Sequence, residues 1–463
     1  MRGKRMMMKK FLMTVCALSL FGGLAAAEAD NSTRSYNSYY HWEYVPVVVP
    51  GEDVKQQDDV TTPLHGPWLL NPSANSITIN WITRRPCAGG VEYREKGTEE
   101  FKTLWTIKGG IVDYSKDLHS IHITGLKPGT EYEYRLVNSF DEFQCAYHKH
   151  IPKFTAREIH SFRTLDPEKK NYKVFLTSDL HGTARLCLYP AYNTSGAKDA
   201  DFYFFLGDNV EDNMGDARYY TTFGFLDDMS NLWSKNKPTV FLRGNHDFSG
   251  RQMYQYSDYF PQPDGKTYQA FRQGPVLFIC LDSLWIRGGV QGEQVTAYIQ
   301  EQADWIKALK KTDDWKKAKF RIVMLHVPLI GLGGAGYLQP FVEALNDNTP
   351  AGRVHAVLAG HNHSYQRVDL NSNLSKIPRL KANTKLTQKP RYAFTPAPYT
   401  QVVCNLVEAM TIDVSPEKLI FKSHHWRTTE GKLHDHFEIY PDGTVKDLQP
   451  IFHLDLTPPP AKK

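Results

Sequence analysis

Eight residues able to bind a cation or move a proton fall into five short islands along the chain. The islands read Ser178-Asp179-Leu180-His181-Gly182, Gly207-Asp208-Asn209, Gly244-Asn245-His246-Asp247, His326, and Gly360-His361-Asn362-His363. Carboxylate oxygens, imidazole nitrogens and one carboxamide suit borderline transition ions such as Zn, Fe, Mn or Co better than calcium. Eight such groups (Asp179, His181, Asp208, Asn245, His246, His326, His361 and His363) exceed what one ion takes, so the pattern predicts two. Two divalent ions roughly 3.5–4 Å apart clamp an in-line displacement at phosphorus and generate hydroxide near neutral pH.

Each island follows a short apolar run: Val174-Phe175-Leu176, Phe202 to Leu206, Val240-Phe241-Leu242, Ile322 to Leu325, and Val354 to Leu358. Such continuous runs suit strands buried on both faces of an α/β sheet. In open α/β sheets ligands sit beyond the carboxyl ends of the strands. One histidine after one strand is ordinary loop chemistry. Five islands in this order are not.

The order D-x-H, G-D, G-N-H-D, H, G-H-x-H resembles that of the calcineurin-like metallophosphoesterases. The whole chain resembles their purple-acid-phosphatase branch, in which a fibronectin-like domain precedes the catalytic one. The resemblance implies that Asp179, His181 and His363 hold one metal, that Asn245, His326 and His361 hold the other, and that Asp208 bridges them. It implies attack on phosphorus by metal-activated hydroxide. His246, oriented by Asp247, either protonates the leaving oxygen or hydrogen-bonds the phosphate. Asn209, Asn213, Arg185, Tyr365 and Arg367 neighbour the islands and are candidate substrate contacts, Asn209 and Tyr365 foremost. His424-His425 and His434-x-His436 are ligand-like in composition, but their strand context favours structural roles.

Two positions depart from the purple branch. Its G-D-x-x-Y tyrosine, which ligates ferric iron, is replaced by Glu211, and His181 stands where that branch carries glycine. Losing a phenolate and gaining an imidazole favours a pair of divalent ions.

The flanking sequence predicts the remaining organisation. Residues 1–27 combine a basic start (Arg2, Lys4, Arg5, Lys9, Lys10), an apolar stretch from Phe11 to Leu24 and an Ala25-Ala26-Ala27 cleavage site, the pattern of a secretory signal. Those five basic residues account for the formal net charge of +5. The remainder is neutral, so charge points to neither a nucleic-acid nor a membrane partner. Beyond Cys16 the cysteines are Cys87, Cys145, Cys187, Cys280 and Cys404, without a CxxC. That excludes a thiolate metal site; Cys87 with Cys145 is the one pair considered for a disulfide, and Cys280 and Cys404 read as core.

A polar, tyrosine-rich leader over 28–62 precedes short alternating strands from 63 to 164. A tryptophan in an early strand (Trp81) and a tyrosine corner at the late, Tyr-bearing strand Glu131-Tyr132-Glu133-Tyr134-Arg135-Leu136 are marks of a β-sandwich, here resembling fibronectin type III. After a charged connector, residues 171–455 are read as an α/β (α+β) layered sandwich, two central sheets flanked by helices, with a frayed tail at 456–463. A helix is expected from Glu293 to Lys311 with Val295, Tyr298, Ile299, Ile306 and Leu309 on its buried face, and Asp282 is expected to be structural. The strands Ala409 to Val414, Leu419 to Ser423 and His436 to Ile439 are expected to close the second sheet.

The sequence thus describes an exported dinuclear phosphomonoesterase acting on a small phosphorylated substrate. A phosphodiesterase or nucleotidase with the same site, or a surface-binding protein with an inert α/β domain, are the alternatives. With no phenolate ligand, the purified metal-loaded protein should be colourless. An absorption spectrum checks this, and a visible charge-transfer band would contradict it.

Overall fold

The computed structural model describes residues 63–139, 141–143, 148–150, 154–155, 158–181, 184–210, 225–250, 253–284, 289–330, 335–371, 397–404, 408–425 and 433–449. The expected signal segment and leader, Cys145, Glu211, Asn213 and the proline tail lie outside them. Among the described residues no helix is long and apolar enough to cross a membrane.

The α/β layers follow from period-two alternation along the apolar runs. In Tyr172–Thr177, Val174 and Leu176 turn inward between two sheets, while Phe175 turns outward beneath helices. In Phe202–Phe205, Phe202 and Phe204 turn inward and Tyr203 and Phe205 outward. From the facing sheet, Ile322 and Met324 of Phe320–Met324 point inward, and Val323 packs under the other helical layer. A continuous apolar run is therefore two half-cores read alternately, and the layered α/β sandwich expected from sequence is found.

The first sheet contains Tyr172–Thr177, Phe202–Phe205 and Thr239–Phe241, all parallel. The second runs in the order Gln269–Gln273, Val276–Cys280, Phe320–Met324, Ala356–Ala359, Thr400–Val403, Gln366–Val368. The strands Glu408–Val414, Leu419–His425 and Leu433–Ile439 do not close the second sheet. They extend the first one, antiparallel, by pairing with Tyr172–Thr177. Alternation tells that a segment is a strand and which face is apolar, but not which open edge it will join. The long helix spans Gly289–Leu309, and its buried line is Val295, Ile299, Ala303 and Ile306. Tyr298 and Leu309 are only half-buried.

The N-terminal β-sandwich packs Trp81, Ile79, Ile121, Tyr134 and Phe162 between its sheets. Trp81 Nε1 donates to Asn138 Oδ1 at 3.0 Å, and Tyr132 Oη accepts the Lys127 N–H at 2.9 Å, closing the expected tyrosine corner. Cys87 carries a free, buried thiol. One sandwich sheet (Pro63–Leu70, Ser76–Thr83, Leu118–Thr124) continues directly into the first α/β sheet, because Leu70 pairs in parallel with Thr239. Trp68, Leu70 and Ile82 share a core with Phe225, Leu226, Trp233 and Phe260, and Tyr134 Oη donates to the Lys235 carbonyl at 2.7 Å. The sandwich is thus structurally continuous with the α/β layers.

Trp68→Ala should cost about 3–5 kcal/mol, the range for truncating a buried large aromatic residue. Because Trp68 belongs to the core shared across the junction, denaturant unfolding should shift as one transition for both regions. A loss confined to the sandwich would contradict the shared core.

Candidate metal centre

The carboxyl ends of the parallel strands bring the islands together. Asp179 and His181 follow Tyr172–Thr177, Asp208 follows Phe202–Phe205, and Asn245 to Asp247 follow Thr239–Phe241. His326 follows Phe320–Met324, and His361 with His363 follows Ala356–Ala359. Ligand atoms of Asp179, His181, Asp208 and His363 lie within 4.8 Å of one another, as do those of Asp208, His326 and His361. Asp208 belongs to both groups. Asn245 joins the second, its Oδ1 2.8 Å from His361 Nδ1 and 3.2 Å from His326 Nε2.

Within the first group, His181 Nε2 lies 2.9 Å from His363 Nε2 and 3.7 Å from Asp208 Oδ2, and His363 Nε2 lies 3.4 Å from Asp179 Oδ1. In the second, His326 Nε2 lies 3.0 Å from Asp208 Oδ2. His326 Nδ1–H donates to the Leu206 carbonyl at 2.9 Å, which fixes the ring and aims Nε2 at Asp208 and Asn245. Asp179, Asp208 and His326 are buried, whereas the His363 side chain is 43% exposed, so the centre opens on the His363 side. This set of carboxylate, imidazole and carboxamide donors fits borderline divalent metal ions.

The electrostatics show the same demand for positive charge. Burial alone would raise the Asp208 carboxyl, but His326 and the His246 backbone N–H (2.8 Å) hold it well below the usual carboxylate range. Burial opposes a charged His326, yet the Asp208 and Asp179 carboxylates raise it to about 9. Burial and the charge of His326 push His361 down to about 4. Protons and cations compete for the same lone pairs here.

The geometry is held under strain. Asp179, His181, Asp208, His361 and His363 all adopt left-handed backbone, with φ of 56°, 45°, 52°, 73° and 50°. Non-glycine residues avoid this region, and its concentration here marks loops bent to aim side chains inward. The tight bends also require bare backbone. A Cβ on Gly244 would lie 2.1 Å from Asp208 Oδ1, and one on Gly360 would lie 1.9 Å from Ser178 Oγ and 2.4 Å from Asp179 Oδ2.

Not every expected residue reaches the centre. His246 sits half-buried beside it, its ring edge-on to His181 at 4.6 Å. Asp247 is buried and accepts the Gly244 N–H (2.9 Å), the Asn209 N–H (3.1 Å) and Asn209 Nδ2 (3.1 Å). Burial and the neighbouring Asp208 push Asp247 up to about 7. Asn209, expected to touch substrate, is instead fully buried, with its amide nitrogen donated to Asp247 and the Leu242 carbonyl. Tyr365 also points away from that role: its hydroxyl donates to Asp435 Oδ2 at 2.6 Å. Arg367 is likewise spent on Asp435, Asp447 and Asp369. Adjacency in sequence put these residues near the islands, but each turns into a polar network beneath them.

Two supports lie outside the motif islands. Arg243, immediately before Gly244, pairs with buried Asp282 at 2.5 Å and anchors that loop from below, which gives Asp282 its structural role. Buried Glu408 binds His434 Nδ1 at 2.7 Å and Ser423 Oγ at 2.5 Å. The signal available for Glu408 is a carboxylate that opens the strand Glu408–Val414 on the same alternate face as apolar Met410 and Ile412.

Residues 172–365 match the calcineurin-like phosphoesterase family, and residues 67–164 match the purple acid phosphatase N-terminal domain. No curated protein matches the chain. Among solved structures, one titled "Structure of PhoD" aligns over 83% of this chain and 91% of its own at 11% identity, with a TM-score of 0.53. Another, described as GAP50, the anchor in the inner membrane complex of Plasmodium, aligns over 59% and 89% at 12% identity, with a TM-score of 0.40.

Gly360→Ala should displace Ser178 and Asp179 and lower metal content while leaving the strands intact. Elemental analysis with far-ultraviolet circular dichroism checks this; unchanged metal content would show that the close approach is dispensable.

Proposed function

We propose that this chain, a phosphoester hydrolase with a calcineurin-like catalytic domain behind a purple-acid-phosphatase N-terminal domain, cleaves phosphomonoesters at a dinuclear divalent-metal centre. The observation that carries the reading is Asp208, whose carboxylate belongs to both ligand groups. Asp179, His181 and His363 complete one site, and Asn245, His326 and His361 the other. When bound, the two ions, of Zn, Fe, Mn or Co character, supply an activated water and positive charge for the phosphoryl group.

The protein's own groups do the remaining work. Four imidazoles are neutral ligands, so two carboxylates leave a loaded centre net positive for a small phosphate dianion. His246 is held at the edge of the centre by its backbone bond to Asp208 and by the rigid loop that Asp247 braces. From there it donates a proton to the leaving oxygen or hydrogen-bonds the phosphate. The basic and apolar pattern of residues 1–27 supports export, to the periplasm or the cell exterior. The N-terminal sandwich, read as fibronectin type III-like, is a fixed support of the catalytic layers.

Purified protein should carry about two transition-metal ions per chain, as the two-metal arrangement requires, and show chelator-sensitive monoester hydrolysis. Asp208→Asn should abolish turnover with the fold retained; unchanged activity would sink the assignment. Preference for a diester assayed in parallel would keep the centre and change the substrate. Absence of both metal and hydrolysis after reconstitution would favour an inert binding protein.

His246→Ala should lower kcat by about 10²–10⁴-fold for esters with poor leaving groups, the usual contribution of a general acid, and much less for good ones. An equal loss for both would assign His246 to phosphate binding instead.

A further inference from the structure

Behind the centre lies a buried polar network that the proposed chemistry does not use. Glu408 shares the inward face of its strand with Met410, between the two sheets, and is fully buried. Its carboxylate accepts from His434 Nδ1 (2.7 Å) and Ser423 Oγ (2.5 Å). Its backbone carbonyl accepts from Thr177 Oγ1 at 3.2 Å. The His434 ring packs on Tyr365 with centroids 4.6 Å apart. The Tyr365 hydroxyl donates to buried Asp435, which also takes Arg367 at 3.0 Å.

Both ends of this network stand two residues from a ligand. Thr177 precedes Asp179, and Tyr365 follows His363. Asp179 and His363 belong to the same ligand group, while Asn245, His326 and His361 form the other side with Asp208. A carboxylate and an imidazole buried in an apolar layer are costly unless paired, and a well-packed hydrophobic substitute is often as stable. Stability therefore gives little reason for the pair, whereas its placement gives a positional one.

We propose that Glu408 and His434 are positioning residues for the ion held by Asp179, His181, Asp208 and His363, locking the Thr177 and Tyr365 ends of the two loops together. This rests on the dinuclear reading above. Partners hydrogen-bonded directly to a metal ligand are typically worth about 10- to 100-fold in metal affinity, and Glu408 and His434 reach the ligands through Thr177 and Tyr365. The other ion, on Asn245, His326 and His361, should feel little.

The test is competitive titration of the full chain with Zn²⁺ against a chelating dye, with a melting curve for each variant. Glu408→Gln keeps the volume but loses one of the two acceptors. It should weaken one of the two Zn²⁺ ions by about 10- to 100-fold, and excess Zn²⁺ should restore kcat, with Glu408→Asp intermediate. Wild-type affinities for both ions in Glu408→Gln, even with a lowered melting temperature, would overturn the proposal. If that variant does not fold, Tyr365→Phe removes a single hydroxyl of the same network and must weaken the same ion; unchanged affinity there overturns it too. Failure of the wild-type chain to bind any Zn²⁺ would instead remove the dinuclear reading itself.

Discussion

Burying Asp208 among imidazoles, with its charge retained, constrains much of the rest of the molecule. A buried carboxylate is tolerated only when charge and hydrogen bonds meet it from several directions. Here His326 faces one oxygen and the His246 backbone N–H the other, with His181 close by. These partners come from three different strand ends, so the two sheets must be held at a fixed separation for Asp208 to be satisfied. Gly244 approaches so closely that any side chain there would strike the carboxylate.

That separation is set by the inner core. Phe202, Phe204, Phe271 and Phe278 interlock between the sheets, with Phe204 stacked on Phe271 at 6.1 Å and Phe202 edge-on to Phe278 at 5.4 Å. Close-packed aromatic layers transmit displacement instead of absorbing it. The sandwich braces one sheet from its edge through the Leu70–Thr239 pairing and the shared Trp68 core. Rigid layers also let the ligand loops keep five residues in left-handed backbone, since only an over-determined surrounding holds such strain.

Beneath the ligands, buried polar groups tie the loops to this frame. Asp282 with Arg243 secures the Gly244–Asp247 loop, and Asp247 secures Asn209. Glu408 with His434 reaches toward the Asp179 and His363 loops. The candidate donors therefore rest on buried carboxylates, of which Asp247 and Asp282 hold backbone N–H groups and Glu408 holds the side chains of His434 and Ser423.

The sequence by itself determined the layered fold, the buried strands and the candidate donors, because period-two alternation and the composition of strand ends are local properties of the chain. Asp179, His181, Asp208, Asn245, His326, His361 and His363 could be named without coordinates, since their side-chain types announce their chemistry. What only tertiary structure decided were the pairings of distant segments. The late strands joined the first sheet and not the second, and the sandwich sheet merged with the catalytic one, because the choice of open edge depends on three-dimensional packing. Asn209 and Tyr365 lay beside the islands in sequence but turned inward, since the direction of a loop side chain depends on partners such as Asp247 and Asp435 far along the chain. Glu408 became visible for the same reason: an acid at the start of a strand acquires meaning only when the fold brings His434 and Ser423 to meet it.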